Sequence, residues 1–183
     1  YIHEEDNSKS LSSNNTTSLF LDSKGILWVG TENGLNKFDF TSGSFTYFRF
    51  QVKNPRAPSS QYDQSVNAIY ESKNGTFWIG TVSGLVMFDR SSSNYKLFPH
   101  QFEVYRYGWG NIIGIIEDHS GKLWLATPGE LMRFDPATNS YDYFKTYLPD
   151  DGTLKLYVTL YNTSGAASSD FYTYVFNSAQ SQI

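Results

Sequence analysis

Gly25-Ile26-Leu27-Trp28-Val29-Gly30-Thr31 returns as Gly75-Thr76-Phe77-Trp78-Ile79-Gly80-Thr81, and once more as Gly121-Lys122-Leu123-Trp124-Leu125-Ala126-Thr127. The tryptophans stand 50 and then 46 residues apart. Ten and eleven positions beyond each comes a Phe-Asp pair: Phe38-Asp39, Phe88-Asp89 and Phe134-Asp135. Phe45, Tyr95 and Tyr141 follow at plus seventeen, and Phe48, Phe98 and Phe144 at plus twenty. From the glycine to the last phenylalanine, 24 positions align in three copies without a gap. Three unrelated β-meanders would not reproduce that spacing.

Each copy reads as four short strands. The first is apolar: Thr16 to Leu21, Val66 to Glu71 and Ile112 to Glu117. A turn such as Asp22-Ser23-Lys24-Gly25 follows, with Gly in the place that needs a positive φ. The second strand carries the Trp, and alternation puts Trp28 and Gly30 on one face, Val29 and Thr31 on the other. The third strand ends at Phe-Asp, and a Ser/Thr-rich turn opens the fourth. Four strands in roughly 40–50 residues is the period of a propeller blade. The fold class is therefore all-β: a propeller segment of three four-stranded antiparallel blades plus a partial fourth. The division is 1–48, 49–98 and 99–144 for the three blades, with 145–183 a divergent insertion and the start of another. Ser18, Ala68 and Gly114 share one aligned position, small as the crowded innermost strand requires. The recurring Trp and Phe fill the space between blades, where flat side chains bury most area.

Composition narrows the function. The 183 residues hold no Cys, 14 Lys+Arg and 18 Asp+Glu, a formal net charge of −4. No clustered basic residues are present to displace counterions, which excludes nucleic acid as a partner. Without Cys there are no disulfides and no thiolate chemistry. No apolar run is long enough to span a membrane. His3, His100 and His119 lack metal-ligand spacing. Asp150-Asp151-Gly152 has no acidic ladder after it and reads as a turn. Gly108-Trp109-Gly110 through Gly114 imitates a dinucleotide fingerprint, but its third Gly is late and a strand follows. G-x-S-x-G is absent. The sequons at Asn14, Asn15, Asn74 and Asn162 lie in or beside turn-like stretches that favour Asn in any case. Neither metal, cofactor nor catalytic residue is expected.

These repeats resemble the two-component regulator propeller repeat, whose pattern runs D-x-x-G-x-L-W-x-G-T-x-x-G-L-x-x-F-D. Asp22 to Asp39 matches nearly throughout. The second copy has Ser72 for the Asp; the third has Ala126 for a Gly and moves its turn glycine to Gly129, with Glu130 following. Ser10 to Asn14 is similar to the family's inter-blade segment. Sialidase Asp boxes, WD repeats and kelch motifs fit less well. The resemblance implies a periplasmic sensor region, attached to the membrane only through the rest of a parent chain with a histidine kinase, and often responding to carbohydrate fragments.

Ligand-binding candidates fall in the long, variable segments on the face where blades connect: 49–65, 99–110 and 145–170. Tyr105, Arg106, Tyr107 and Trp109 combine aromatic and guanidinium surfaces that suit sugar rings and anionic groups. Arg56 with Tyr62, and Lys145 with Tyr147, are sparser versions. The short Asp-x-x-Gly and Ser-rich turns on the opposite face read as structural. The leading expectation is a non-enzymatic sensor binding an oligosaccharide or other small polar molecule. A propeller enzyme of lyase type, with its catalytic residues elsewhere, and a protein-binding scaffold are the alternatives.

Three blades do not close a ring, since propellers typically have four to eight. The expectation is thus an excerpt of a longer chain, with Phe171 to Phe176 entering a further inner strand and Leu154 to Tyr161 an inserted one. Open flanks on the first and third blades predict a homo-oligomer or packing against further blades.

Overall fold

The structure, a computed structural model, describes residues 1–50, 64–100, 111–128, 130–147, 155–161 and 172–175. The first blade is β1 (Thr16–Leu21), β2 (Leu27–Thr31), β3 (Gly34–Asp39) and β4 (Ser44–Phe48), each antiparallel to the next. The second repeats it as β5 (Val66–Glu71), β6 (Phe77–Thr81), β7 (Gly84–Phe88) and β8 (Tyr95–Pro99). The third holds β9 (Gly114–Glu117), β10 (Leu123–Ala126), β11 (Leu131–Asp135) and β12 (Ser140–Tyr147). The three aligned tryptophans all stand on second strands, as the repeats require. No helix occurs among the described residues.

The third sheet continues beyond the blade. β13 (Lys155–Tyr161) pairs with β12 from Tyr141 opposite Tyr161 to Tyr147 opposite Lys155, and β14 (Tyr172–Val175) pairs with β13. The inserted strand expected near 154–161 is thus present. The 171–176 stretch, expected as an inner strand, supplies instead the outermost strand of this sheet. The long antiparallel register supplies backbone pairing along the outer edge of β12; on the first blade that edge is met by the leading segment, the Phe45 amide of β4 donating to the Lys9 carbonyl at 2.8 Å.

Blades pack face to face through aromatics. Trp28, Phe77 and Phe88 meet between the first two, with ring centroids 5.1 Å apart for Trp28–Phe77 and 6.1 Å for Trp28–Phe88. Trp78, Phe98 and Phe134 repeat the arrangement between the second and third. There the Tyr141 hydroxyl donates to the Phe98 carbonyl at 2.6 Å. Trp28 and Trp78 are buried, but Trp124 is only half-buried: among the described residues its ring meets Phe144 at 5.0 Å and the Arg133 guanidinium at 5.5 Å, both of its own blade, where Trp28 and Trp78 meet rings of the next one.

The inner strands explain the small residues. Ser18 pairs with Gly30, Ala68 with Gly80 and Gly114 with Ala126. A Cβ on Gly30 would lie 2.6 Å from the Val66 carbonyl of the next blade; one on Gly80 would lie 2.6 Å from that of Ile112. Glycine is a requirement of blade contact there. Ala126 breaks the pattern at an exposed position, opposite Gly114.

One expectation needs correction. The first blade's outer flank is not bare: Leu11 is buried against Val29, Phe38 and Phe45, and the Tyr1 ring meets Phe38 and Phe45 edge-on. Ser12 ties this cover down, its amide donating to Asn36 Oδ1 at 2.9 Å and its hydroxyl bonding Thr31 Oγ1 at 2.8 Å.

Candidate functional site

Each Asp-x-x-Gly turn is organised by one side chain. Asp22 Oδ1 accepts the amides of Lys24 and Ile26, both at 2.9 Å, while Oδ2 accepts the Trp28 indole N–H at 2.9 Å. Gly25 closes the reversal at φ 74°. Asp118 repeats the pattern with Ser120, Lys122 and Trp124. In the second copy Ser72 Oγ takes the Trp78 indole at 3.0 Å, and Asn74 Oδ1 accepts the Thr76 amide. Conformationally equivalent residues in the outer turns, Gly43, Ser93 and Asn139, all carry positive φ, with Asp39, Asp89 and Asp135 accepting the amide two residues on.

A bridge between blades is built on these turns. Arg90 reaches back from the β7–β8 turn, giving Nη1 to Asp22 Oδ2 at 2.8 Å and Nη2 to Glu71 Oε1 at 2.5 Å. Its guanidinium lies 4.7 Å over the Phe77 ring. Glu71 also accepts the Ser23 amide at 2.7 Å and the Ser23 hydroxyl at 2.9 Å. At the next junction Glu117 accepts the Lys73 amide at 2.9 Å. Burial alone would raise the Asp22 carboxyl, but the Trp28, Ile26, Lys24 and Arg90 donors outweigh it and hold it below its ordinary value. Glu71 is lowered in the same way, its donors on Ser23 and Arg90 overcoming burial. The Ser120 hydroxyl, with the Lys122, Trp124 and Ser120 N–H donors, brings Asp118 down to about 2 against the effect of burial.

Beside the Arg90 bridge opens a cleft of about 560 Å³. Lys24 contributes from the β1–β2 turn, Asn74 from the β5–β6 turn, and Ser91, Asn94 and Tyr95 from the β7–β8 turn and the start of β8. It therefore lies on the face of the Asp-x-x-Gly turns, which sequence reading took as purely structural. Tyr95 and Met87 are 38% and 37% exposed. The sequence-derived candidates Arg56, Tyr62, Tyr105, Arg106, Tyr107 and Trp109 lie outside the described residues, and Lys145 and Tyr147 fall on the β12 backbone. Arg90 and Glu71 were missed. Only the Glu recurring before the turn, as Glu71 and Glu117, could have hinted at them.

Among the described residues no group of three or more His, Asp or Glu could hold a metal ion, and no helix is long and apolar enough to cross a membrane. The fold and the repeat together define a β-propeller segment. The family model for the two component regulator propeller matches residues 10–33 and 63–83, so the resemblance carried by the repeats stands. Among solved structures, the extracellular domain described as that of the hybrid two component system BT3049 from B. thetaiotaomicron superposes with a TM-score of 0.59 at 20% identity. The match covers 92% of this chain and 23% of that one. The corresponding domain of BT4673 gives 0.55 at 19% identity with the same coverage. Saccharomyces cerevisiae Sqt1 gives 0.51 at 18% identity, covering 83% of this chain and 45% of that one. The chain spans about a quarter of the length of the two bacterial domains, and at these identities the likeness is one of fold. No curated protein matches the sequence.

Proposed function

We propose that this chain is a ligand-sensing propeller module of a two-component signalling receptor, acting in the periplasm and without catalysis of its own. The observation that carries the reading is the family match on two of the three repeats, in a chain whose third repeat keeps the same strands and the same Asp–Trp bond. The ligand in this reading is a glycan or other small polar molecule bound on the blade-to-blade face by Tyr105, Arg106, Tyr107 and Trp109, with Arg56 and Tyr62 in support. Aromatic faces take the C–H side of a sugar, and guanidinium donors take its oxygens. Titration of an oligosaccharide panel against the wild-type chain, Trp109→Ala and Arg106→Ala tests it. Weakened binding in both variants is expected; unchanged affinity in both removes that loop from the site.

A further inference from the structure

We propose that Asn74 is a site of spontaneous deamidation, its side-chain amide being exchanged for a carboxylate through a cyclic imide formed with Gly75. The chain holds two Asn-Gly pairs, Asn33-Gly34 and Asn74-Gly75, each at a turn between strands of one blade. Glycine after asparagine leaves the backbone nitrogen open to the neighbouring side chain, because no Cβ stands in the way. The two pairs are alike in sequence, and the fold treats them differently.

At the first pair the reacting groups are tied down. Asn33 Nδ2 donates to the Ser12 carbonyl and the Asn33 amide to Thr31 Oγ1, both at 3.1 Å. Ser12 is itself buried and fixed by Asn36 and Thr31. Gly34 is buried too, and a Cβ there would lie 2.5 Å from the Phe48 carbonyl oxygen, so its backbone has little room to move. Ring closure at Asn33 would have to break these bonds under the cover of the leading segment.

At the second pair the groups are free to react. Asn74 and Gly75 are exposed, and nothing lies within 4 Å of where a Gly75 Cβ would stand. Asn74 Oδ1 accepts the Thr76 amide at 3.0 Å. A side-chain oxygen bonded to the amide two residues on folds the side chain back along the intervening peptide, whose nitrogen is that of Gly75. The Thr76 N–H also faces the atom on which negative charge develops during attack, as an oxyanion donor does. Among the described residues no hydrogen bond holds Nδ2, the leaving nitrogen. The Gly75 N–H donates to the Ser72 carbonyl at 2.8 Å, a single turn bond whose opening is local.

In the reaction the Gly75 nitrogen gives its proton to solvent and bonds to Asn74 Cγ. The Cγ–Nδ2 bond breaks, and Nδ2 leaves as ammonia. Water then opens the ring at either carbonyl, giving aspartate or isoaspartate at this position. Water is consumed and ammonia released, with no change of oxidation state. The product places a carboxylate in the cleft with Lys24 and Arg90. In the isoaspartyl form the backbone is also longer by a carbon directly before Gly75, whose carbonyl accepts Arg90 Nη2 at 3.3 Å.

The test is peptide mass spectrometry of the folded chain held at mildly alkaline pH, with the same chain in urea as reference and the aspartyl and isoaspartyl peptides separated. In the folded chain Asn74 should convert about tenfold faster than Asn33, as a mixture of both products. In urea the two rates should agree within about a factor of two. Asn74→Gln, whose longer side chain does not close the same ring, should remove conversion at this position and leave Asn33 unchanged. Conversion of Asn33 level with or ahead of Asn74 in the folded chain, or the same ratio of rates folded and in urea, would overturn the proposal. Aspartate formed at Asn74 without isoaspartate would overturn it as well, since direct hydrolysis needs no Gly75 nitrogen.

Discussion

Asp22 serves three structures with two oxygens: its own turn, the Trp28 indole and Arg90 of the next blade. Removing it leaves a buried N–H and a part-buried guanidinium short of an acceptor. Asp22→Ala should therefore destabilise by about 3–5 kcal/mol, as when one partner of a buried pair is lost. Asp22→Asn keeps one carbonyl acceptor and should cost less. Chemical denaturation of both variants measures the difference. The same carboxyls set the acid limit. Asp22, Glu71 and Asp118 all sit below their ordinary values in the folded state, so their contribution is fully present above the unfolded values of 3.8 and 4.5. It is lost as pH falls through the folded values, of which Asp118 lies at about 2. The urea midpoint should be flat near neutrality and fall from about pH 4.5 downward; a midpoint that rises on acidification would contradict this assignment.

Strand contacts explain why the three copies are not interchangeable. Gly30 and Gly80 face the carbonyl oxygens of the following blade, so a methyl group there forces the inner strands apart. Gly80→Ala should cost about 1–3 kcal/mol by overpacking. Ala126→Gly, at the exposed equivalent, should change stability by no more than about 1 kcal/mol, the ordinary cost of backbone freedom. Thermal unfolding of the two variants side by side checks this; equal losses would mean that the third blade's inner strand is packed as tightly as the others. The same asymmetry appears in the latches between blades. Glu71 and Glu117 each accept an amide from the preceding turn, while the first blade has Leu21 at that position, 63% exposed.

For the molecule as a whole, the two flanks differ. Residues 1–12 cover much of the first, whereas Ile116 at 65% and Leu131 at 39% exposure stand beside half-buried Trp124 on the third. Exposed apolar side chains around a stacked Arg133 guanidinium, which lies over the Trp124 and Phe144 rings, favour association. Self-association through the third blade's flank is expected, with a head-to-tail ring disfavoured because residues 1–12 would have to leave their place. Light scattering over a concentration series should show growth in mass for the wild type and less for Ile116→Lys. A wild-type chain that stays monomeric at high concentration, or an Ile116→Lys variant that associates equally, would remove this flank as the contact.

The blades were legible because their determinants are local and repeat. A Gly at positive φ, a Trp two strands' width from a Phe, and alternation along five or six residues need only neighbours a few positions away. The Asp-x-x-Gly turn was read correctly as structural, yet its role in holding the Trp indole emerges only when Asp22 and Trp28 fold onto one another. The Arg90 bridge to Asp22 spans 68 residues, and no spacing in the sequence distinguishes Arg90 from any other surface Arg. The cleft is likewise assembled from Lys24 of one blade and turns of the next, so it exists only once the blades are docked. Tyr95 aligns with two buried rings, and its exposure depends on what packs above it. Chain periodicity determines the strands and their order; which flank is covered, and which turn faces open onto a cavity, depends on contacts between residues far apart in sequence.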